Sequence, residues 1–599
     1  MKDKAHRPIQ MMLTQGNLTK LIKIFIGILA ITSIYSIIST FKYNNVDQSM
    51  VDEFKAFFHH EQDEQQYDND ADLNHQEIDQ QFLDEMDREI TKCPDYVKYS
   101  GKKHPPFSPR FNYPYMRPAP KCRTFTSDAV EILINDLKEK AINRDLARLI
   151  ENCLPNTLDT TILWHKHQQD DSPPESFVVT GDIHAEWLRD AARQLSVYQP
   201  LIKHDPKLKE LILGAINTQA KYVITAPYCN AFHPPPDSGV KKAGSTKDKV
   251  FPKPDWKYVF ECKYEIDSLA SFLTLTNEYY ENSGGDLSFL TDTWLKAYEK
   301  VLIVLVRESV PTFDELTGKV MPFHYTFQRE TNIGSETLAL AGLGNPVNFG
   351  TGLIRSMFRP SDDATILQFF IPGNIHMLTE LKKIRHNFLN SNLPPELDLS
   401  LAIEKTDEFI QSISEGIEKY AIVKHPHYGQ VFAYEVDGYG GAIFMDDANI
   451  PSLLSMPETG FVSTNDKIYQ NTRKMILEKQ GNPYYLQGIY FEGIGGPHIG
   501  ISHAWPMSLL VRIRTSEDDN EIRASLKLLM ETTGGLGLMH ESVHVNSRGG
   551  RDFTRSWFAW CNSEFGKTIL YLAKHKPHLI FKEEFAKSAY VIDDLFKKK

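Results

Sequence analysis

The chain has no concentrated basic block in its body, and its formal net charge is −12 over 599 residues. Phosphate backbones are bound by clustered Lys and Arg, so the composition argues against a nucleic-acid partner. Cysteine is scarce. The six, at positions 93, 122, 153, 229, 262 and 561, form no CxxC pair and no Cys/His zinc spacing. The glycine-rich run EGIGGPHIG (492–500) is not followed by Gly-Lys-Ser/Thr and is a loop, not a phosphate cradle. The acids of DGYGGAIFMDD (437–447) lack EF-hand spacing. Asp-x-Asp occurs only as Asp68-Asn69-Asp70 and Asp70-Ala71-Asp72, within an acidic stretch, which argues against a metal-dependent sugar transferase. One N-x-S/T sequon is present, Asn17-Leu18-Thr19, and convincing period-2 strands are few.

What is present begins near the N-terminus. Residues 24–41, IFIGILAITSIYSIISTF, carry no charge and are just long enough to cross a bilayer core as a helix. Lys2, Lys4, Arg7, Lys20 and Lys23 precede them and acids follow. The positive-inside rule then predicts a cytosolic tail (1–23), a signal anchor (24–41) and a lumenal remainder, a type II protein of the ER or Golgi. A cleaved signal peptide is the alternative, disfavoured by the long polar lead. Residues 42–124, first acidic and then proline-rich (HPPFSPRFNYPYMRPAP), read as a stem. An oxidising lumen permits disulfides, and six cysteines allow fifteen connectivities.

From residue 125 to 599 the pattern becomes helical. DAVEILINDLKEKAINRDLARLI reads as an amphipathic helix with Val130, Leu133, Leu137, Ala141 and Ile142 on one face. Similar runs are KLKELILGAINTQAKYVI, IDSLASFLTLTNEYY, TDTWLKAYEKVLIVLVRES, IHMLTELKKIRHNFL, DEFIQSISEGIEKY and SEFGKTILYLAK. The expectation is one large, all-α domain, and its alternation of helices with loops suggests a helical barrel.

The loops between the helices share a vocabulary of carboxylates, amides and flat aromatic rings. TGDIHAEWLRD (180–190) crowds Asp182, Glu186, Arg189 and Asp190 around Trp187. FECKYEIDSL (260–269) adds Glu261, Lys263, Tyr264, Glu265 and Asp267; RPSDDA adds Arg359, Asp362 and Asp363. DGYGGAIFMDDANIPSLL adds Asp446 and Asp447. YFEGIGGPHIGISHAWPM adds His498, His503 and Trp505, and the last loop adds Glu541, Arg555, Trp557 and Trp560. Such sets suit a polyol, whose hydroxyls take bidentate hydrogen bonds and whose C–H faces stack on indoles. Each motif alone also has a plain reading. WLRD can be a helix start with an Arg–Asp bridge, SDDA an N-cap, MDDANIPSLL a cap and turn, and the histidines wall residues.

Taken together and in order, TGDIHAEWLRD, KYEIDSL, FRPSDDA…IPGN, DGYGGAIFMDDANIPSLL and HES…FTRSWFAWCNSEFG resemble glycoside hydrolase family 125, over residues 125 to about 580. The resemblance implies an (α/α)6 barrel and an inverting, exo-acting α-1,6-mannosidase with no metal or cofactor. It implies a general acid at Asp362 or Asp363, which sequence spacing leaves open, and a general base at Glu541. An inverting pair stands roughly 6.5–9.5 Å apart, and the acid needs a raised pKa, for which the adjacent aspartate is a candidate cause. Asp182, Arg189 and Asp190 are expected to clasp the terminal mannose and Trp187 to wall it. Arg555, Trp557 and Trp560 are expected near the base, with Tyr264, Arg359, Asp446 and His503 as further lining. His184 and Glu186 depart from the family pattern and leave subsite preference open, as does the longer stretch between Glu541 and Thr554. A same-fold glycosidase of another linkage or sugar, or a non-catalytic glycan-binding protein, are the alternatives; a monomer is the default.

Overall fold

The computed structural model describes residues 78, 80–169, 172–389 and 399–597. The expected tail, membrane span and acidic part of the stem up to residue 77 lie outside these residues. Among the described residues no helix is long and apolar enough to cross a membrane.

The body is predominantly helical. Its longer helices are α1 (Asp128–Lys140), α2 (Arg144–Cys153), α3 (Leu188–Ser196), α4 (Pro206–Thr225), α5 (Ile266–Asn282) and α6 (Asp292–Glu308). They continue with α7 (Ile371–Asn387), α8 (Ser400–Gly416), α9 (Lys467–Ile476), α10 (Pro506–Arg514), α11 (Asp519–Glu531) and α12 (Ala559–His575). All nine residues of α3 are buried, and α5 and α12 are buried over most of their length. Helices covered on all sides belong inside. They form a ring: α3 packs on α5, α5 on α7, α10 on α12, and α12 returns to α3. Between α7 and α10 the ring is completed by the short turn Met456–Thr459, which packs on α7 and reaches α10 through Glu458 and Arg514. Outside it, α4 packs on α6, α8 on α7 and α11 on α10. This is an α/α barrel.

Local chemistry starts the helices where the periodicity places them. Asp205 accepts from the backbone of Lys207 and Leu208 and precedes Pro206, a strong helix start. The same carboxylate accepts the Ser127 hydroxyl at 2.5 Å, and Ser127 caps α1. The long run beginning at Asp128 is not one helix, however. It breaks after Lys140, where Ala141 bridges to Phe581, and Asn143 caps a new helix through Leu146 N. Ile142 consequently stands about half exposed.

Near one end of the ring axis, charges from three helices and the completing turn meet. Arg193 (α3) bonds Glu564 (α12) at 2.8 Å; Arg514 (α10) bonds both Glu564 at 2.8 Å and Glu458 at 2.9 Å.

Two expectations change here. The fold is not purely helical: short antiparallel ladders stitch the loops, such as Glu186–Trp187 beside Ala231–Phe232 and Val259–Glu261. Their strands are two to five residues long, too short for a sustained period-2 pattern to show. The proline-rich part of the expected stem is also not a stem. Tyr113, Tyr115 and Met116 are buried, Met116 N bonds Asn152, and Arg117 pairs with Asp159 and Glu131. Disulfides join Cys93 to Cys122 and Cys229 to Cys262; Cys153 and Cys561 are free and buried.

Candidate active site

Trp187, Glu265, Phe370, Trp505 and Phe558 are each the residue immediately before an inner helix. The chemistry-bearing loops therefore feed into helix N-termini, whose partial positive charge favours carboxylates.

The loop 359–363 is pulled tight. Arg359 N donates to Asp363 O at 2.8 Å and Asp362 N to Arg359 O at 2.9 Å. Asp362 sits in the left-handed region with φ 66°, which a non-glycine residue adopts only when its surroundings enforce it. Lys263 supplies that enforcement by donating Nζ to the Asp362 carbonyl oxygen at 2.8 Å. The turn sends the two aspartates apart. The Asp362 side chain is 20% exposed, 3.6 Å from Arg189 and bonded to Asn230 Nδ2 at 3.3 Å. Asp363 is fully buried, bonded to the Ser361 hydroxyl, which also reaches Asp447.

Asn230 Nδ2 lies equally 3.3 Å from Glu265 Oε1, so Asp362 and Glu265 flank one amide. Burial, together with the charges of Asp362 and Asp267, pushes the Glu265 carboxyl well above the usual range against the pull of Arg189. Burial also works to raise Asp362, but Lys263 and Arg189 pull harder and leave it below the usual range. The two carboxyls thus share one proton, held toward Glu265. Two buried cations act on Asp362, and the raised group is its neighbour Glu265.

Glu541 is held from two sides. Arg555 Nε donates to Oε1 at 3.0 Å and the Thr554 hydroxyl to Oε2 at 2.7 Å. Arg555 also pairs with Asp182, so Asp182, Arg555 and Glu541 form one chain of charges. His498 feels both groups of carboxyls. Burial would lower its pKa, but Asp363, 3.8 Å away, then Asp362 and Glu541 outweigh burial and raise it to about 9. The indole nitrogens of Trp187, Trp505 and Trp557 are buried without a protein hydrogen-bond partner. Unsatisfied buried donors are rare in native interiors and call for a ligand or water.

Several expected residues take other places. Arg189 is buried among Asp190, Glu265, Asp267 and Asp362, stacks over Trp560 and positions these carboxyls. Asp190 is buried against it, lifted to about 7 by burial. Trp560 donates to Glu564 beneath. Tyr264 is buried, and its carbonyl receives Met357 N and Phe358 N below the aspartate loop. Arg359 pairs with buried Glu435 at 2.6 Å, and Asp446 caps Leu453 N and Leu454 N, its plain reading. His503 lies on a two-stranded ladder opposite His544, 3.8 Å from Asp552. Asp182, Trp187, Asp362, Asp363, Glu541, Arg555 and Trp557 remain with the site. Lys263, Glu265 and His498 were visible in the motifs but given no role in the site; Asn230 carried no signal beyond its neighbour Cys229. The Cys229–Cys262 disulfide ties Asn230 to Lys263. A cavity of about 190 Å³ adjoins, lined by Tyr96, Gly181, His184 and Trp557 among others.

Residues 143–570 match the family model of metal-independent α-mannosidases, GH125. The meiotically up-regulated gene 157 protein of Schizosaccharomyces pombe (strain 972 / ATCC 24843) is 51% identical over 491 residues, covering 82% of this chain and 94% of that protein. A solved metal-independent α-mannosidase from Streptococcus pneumoniae, in a non-productive substrate complex with α-1,6-mannobiose, is 31% identical with a TM-score of 0.66. That match covers 75% of this chain and 99% of the bacterial one.

Proposed function

This chain belongs to the GH125 family of metal-independent α-mannosidases, and from that premise we propose that it removes terminal α-1,6-linked mannose by an inverting, exo-acting mechanism. The observation that carries the proposal is the pairing of two unlike carboxyl sites around His498. One is Glu541, ion-paired with Arg555; the other is Asp362, sharing a proton with buried Glu265.

Asp362 is the general acid. The proton that the pair shares passes from Glu265 through Asp362 to the glycosidic oxygen as the bond to the anomeric carbon breaks, and solvent returns a proton to the pair after the product leaves. Glu541 takes a proton from the water that attacks the opposite face of the sugar, giving β-mannose and a shortened glycan. Asp182 and the indoles of Trp187 and Trp557 bind the terminal sugar. The linkage reading is supported by the α-1,6-mannobiose bound to the bacterial relative. The cellular reading is a monomeric type II membrane protein facing the ER or Golgi lumen, acting on mannose-containing glycans. The basic residues before the apolar run 24–41 support that orientation, and the two disulfides suit an oxidising compartment.

The test is hydrolysis of α-1,6-mannobiose by the full-length chain in detergent, followed by NMR of the anomeric protons. β-Mannose should appear first. α-Mannose first would overturn inversion, and no hydrolysis by folded protein would overturn the linkage.

A further inference from the structure

Outside the catalytic cluster, the hairpin formed by Ile162–Lys166 and Glu175–Val178 meets the start of α4 and brings together His165, His167 and Glu210. One nitrogen from each imidazole and a carboxylate oxygen lie within 4.8 Å of one another.

The hydrogen bonds around His165 fix its tautomer. Ser176 Oγ spends its one hydrogen on the Leu211 carbonyl at 2.7 Å. In its 3.0 Å contact with Ser176 Oγ, His165 Nδ1 must therefore be the donor, which leaves the lone pair of the neutral ring on Nε2. That Nε2 is buried without a hydrogen-bond partner, on a side chain only 9% exposed, and it points at Glu210 Oε2 3.7 Å away. Two electron-rich atoms thus face each other with no hydrogen bond to join them. His167 Nδ1 is 3.0 Å from the same oxygen, and Gln168 N holds the other carboxylate oxygen at 2.7 Å. Two ligands of a tetrahedral zinc ion, each about 2.0–2.1 Å from it, stand roughly 3.4 Å apart. The separations of 3.0 and 3.7 Å bracket that value.

We propose that His165 Nε2, His167 Nδ1 and a Glu210 oxygen form a structural zinc site that clamps the hairpin to α4. Two imidazoles and one carboxylate suit zinc better than the oxygen-seeking calcium or magnesium. The Ser176 bond to Nδ1 is the outer partner that orients a metal-binding imidazole. His167, 72% exposed, moves its proton from Nδ1 to its other nitrogen on binding, and water completes the coordination. The site takes no part in hydrolysis. It steadies the strand that leads into Thr180 and Asp182.

The full-length chain, stripped with a chelator, is titrated with zinc chloride by calorimetry, with bound metal counted and thermal unfolding followed. His167→Ala and Glu210→Gln, both toward the surface, are run beside it. The wild type should bind one equivalent that each variant loses or binds at least tenfold more weakly, and zinc should raise the wild-type Tm alone. Equal uptake and equal Tm shifts in wild type and variants would assign the zinc to other histidines and overturn the site, as would no uptake at all.

Discussion

Lys263 donates its ammonium to the backbone carbonyl oxygen of Asp362 at 2.8 Å, from a position where only 2% of the lysine side chain is exposed. The bond holds an aspartate in a left-handed turn and places a buried cation beside its carboxyl. The orientation and the charge state of Asp362 are therefore set by a different loop, which the Cys229–Cys262 disulfide anchors. Catalytic groups are held productively when their supports are rigid, and this support is covalent on one side.

The turn separates two adjacent aspartates into two roles, and substitution should separate them too. Asp362→Asn should lower kcat on α-1,6-mannobiose by about 10²–10⁴-fold, the usual range for losing a general acid. An activated aryl α-mannoside, whose leaving group needs little protonation, should be hydrolysed with a much smaller loss. Asp363→Asn should instead cost stability, because its carboxyl is fully buried against Ser361 and near His498. Equal losses on both substrates in Asp362→Asn would remove it as the acid.

In the proposed mechanism Glu265 stores the proton that Asp362 uses. Glu265→Gln keeps the shape but removes the carboxyl that holds the pair's proton, leaving Asp362, which Lys263 and Arg189 keep below the usual range, as its one titrating member. The alkaline limb of the kcat profile should move to lower pH, with KM little changed. A profile that keeps its limb while activity falls uniformly would reduce Glu265 to a purely structural role.

Much of this site was legible as a set of loops and little of it as a geometry. Glu541, Asp182 and Arg555 lie in quotable motifs, and their ion chain follows from the loops converging at inner-helix N-termini. The choice between Asp362 and Asp363 was not legible, because it depends on one left-handed φ and on a lysine 99 positions away. Arg189 read as a sugar ligand because its neighbours in sequence are Trp187 and Asp190; its real partners, Glu265, Asp267 and Asp362, come from two other loops. Most of the long helices were legible from an apolar stripe that faces a core. Four runs escaped: α3 and α10, which are buried nearly all round, and α9 and α11.

His498 gives the protein a pH-dependent contribution of definite sign. Its folded pKa of about 9 lies above the ordinary value of 6.5. The stabilisation is complete below pH 6.5 and is lost as pH rises through about 9. It amounts to about 2–3 kcal/mol, from 1.36 kcal/mol per unit and allowing for partial exposure. Urea unfolding of the wild type should show a falling midpoint from pH 6.5 to 9.5, and His498→Gln should flatten that fall. A variant that loses stability as steeply as the wild type over this window would show that the charge of His498 does not contribute.

The barrel axis makes the opposite prediction for acid. Glu564 accepts from both Arg193 and Arg514, and these guanidiniums overcome its burial and hold its carboxyl down at about 2. The contribution is present above pH 4.5 and is lost as pH falls through about 2. Glu564→Gln keeps the packing volume but leaves two buried guanidiniums with Glu458 as their one remaining carboxylate. Breaking one partner out of a buried pair typically costs about 3–5 kcal/mol, because the remaining charge stays desolvated. The urea midpoint at pH 7 should fall accordingly, while α-mannoside turnover per folded molecule changes little, since Glu564 touches Arg193, Arg514 and Trp560 rather than the sugar-facing carboxyls. A loss under about 1 kcal/mol would mean that Glu458 alone neutralises both arginines, and the axis would then be held by packing rather than by charge.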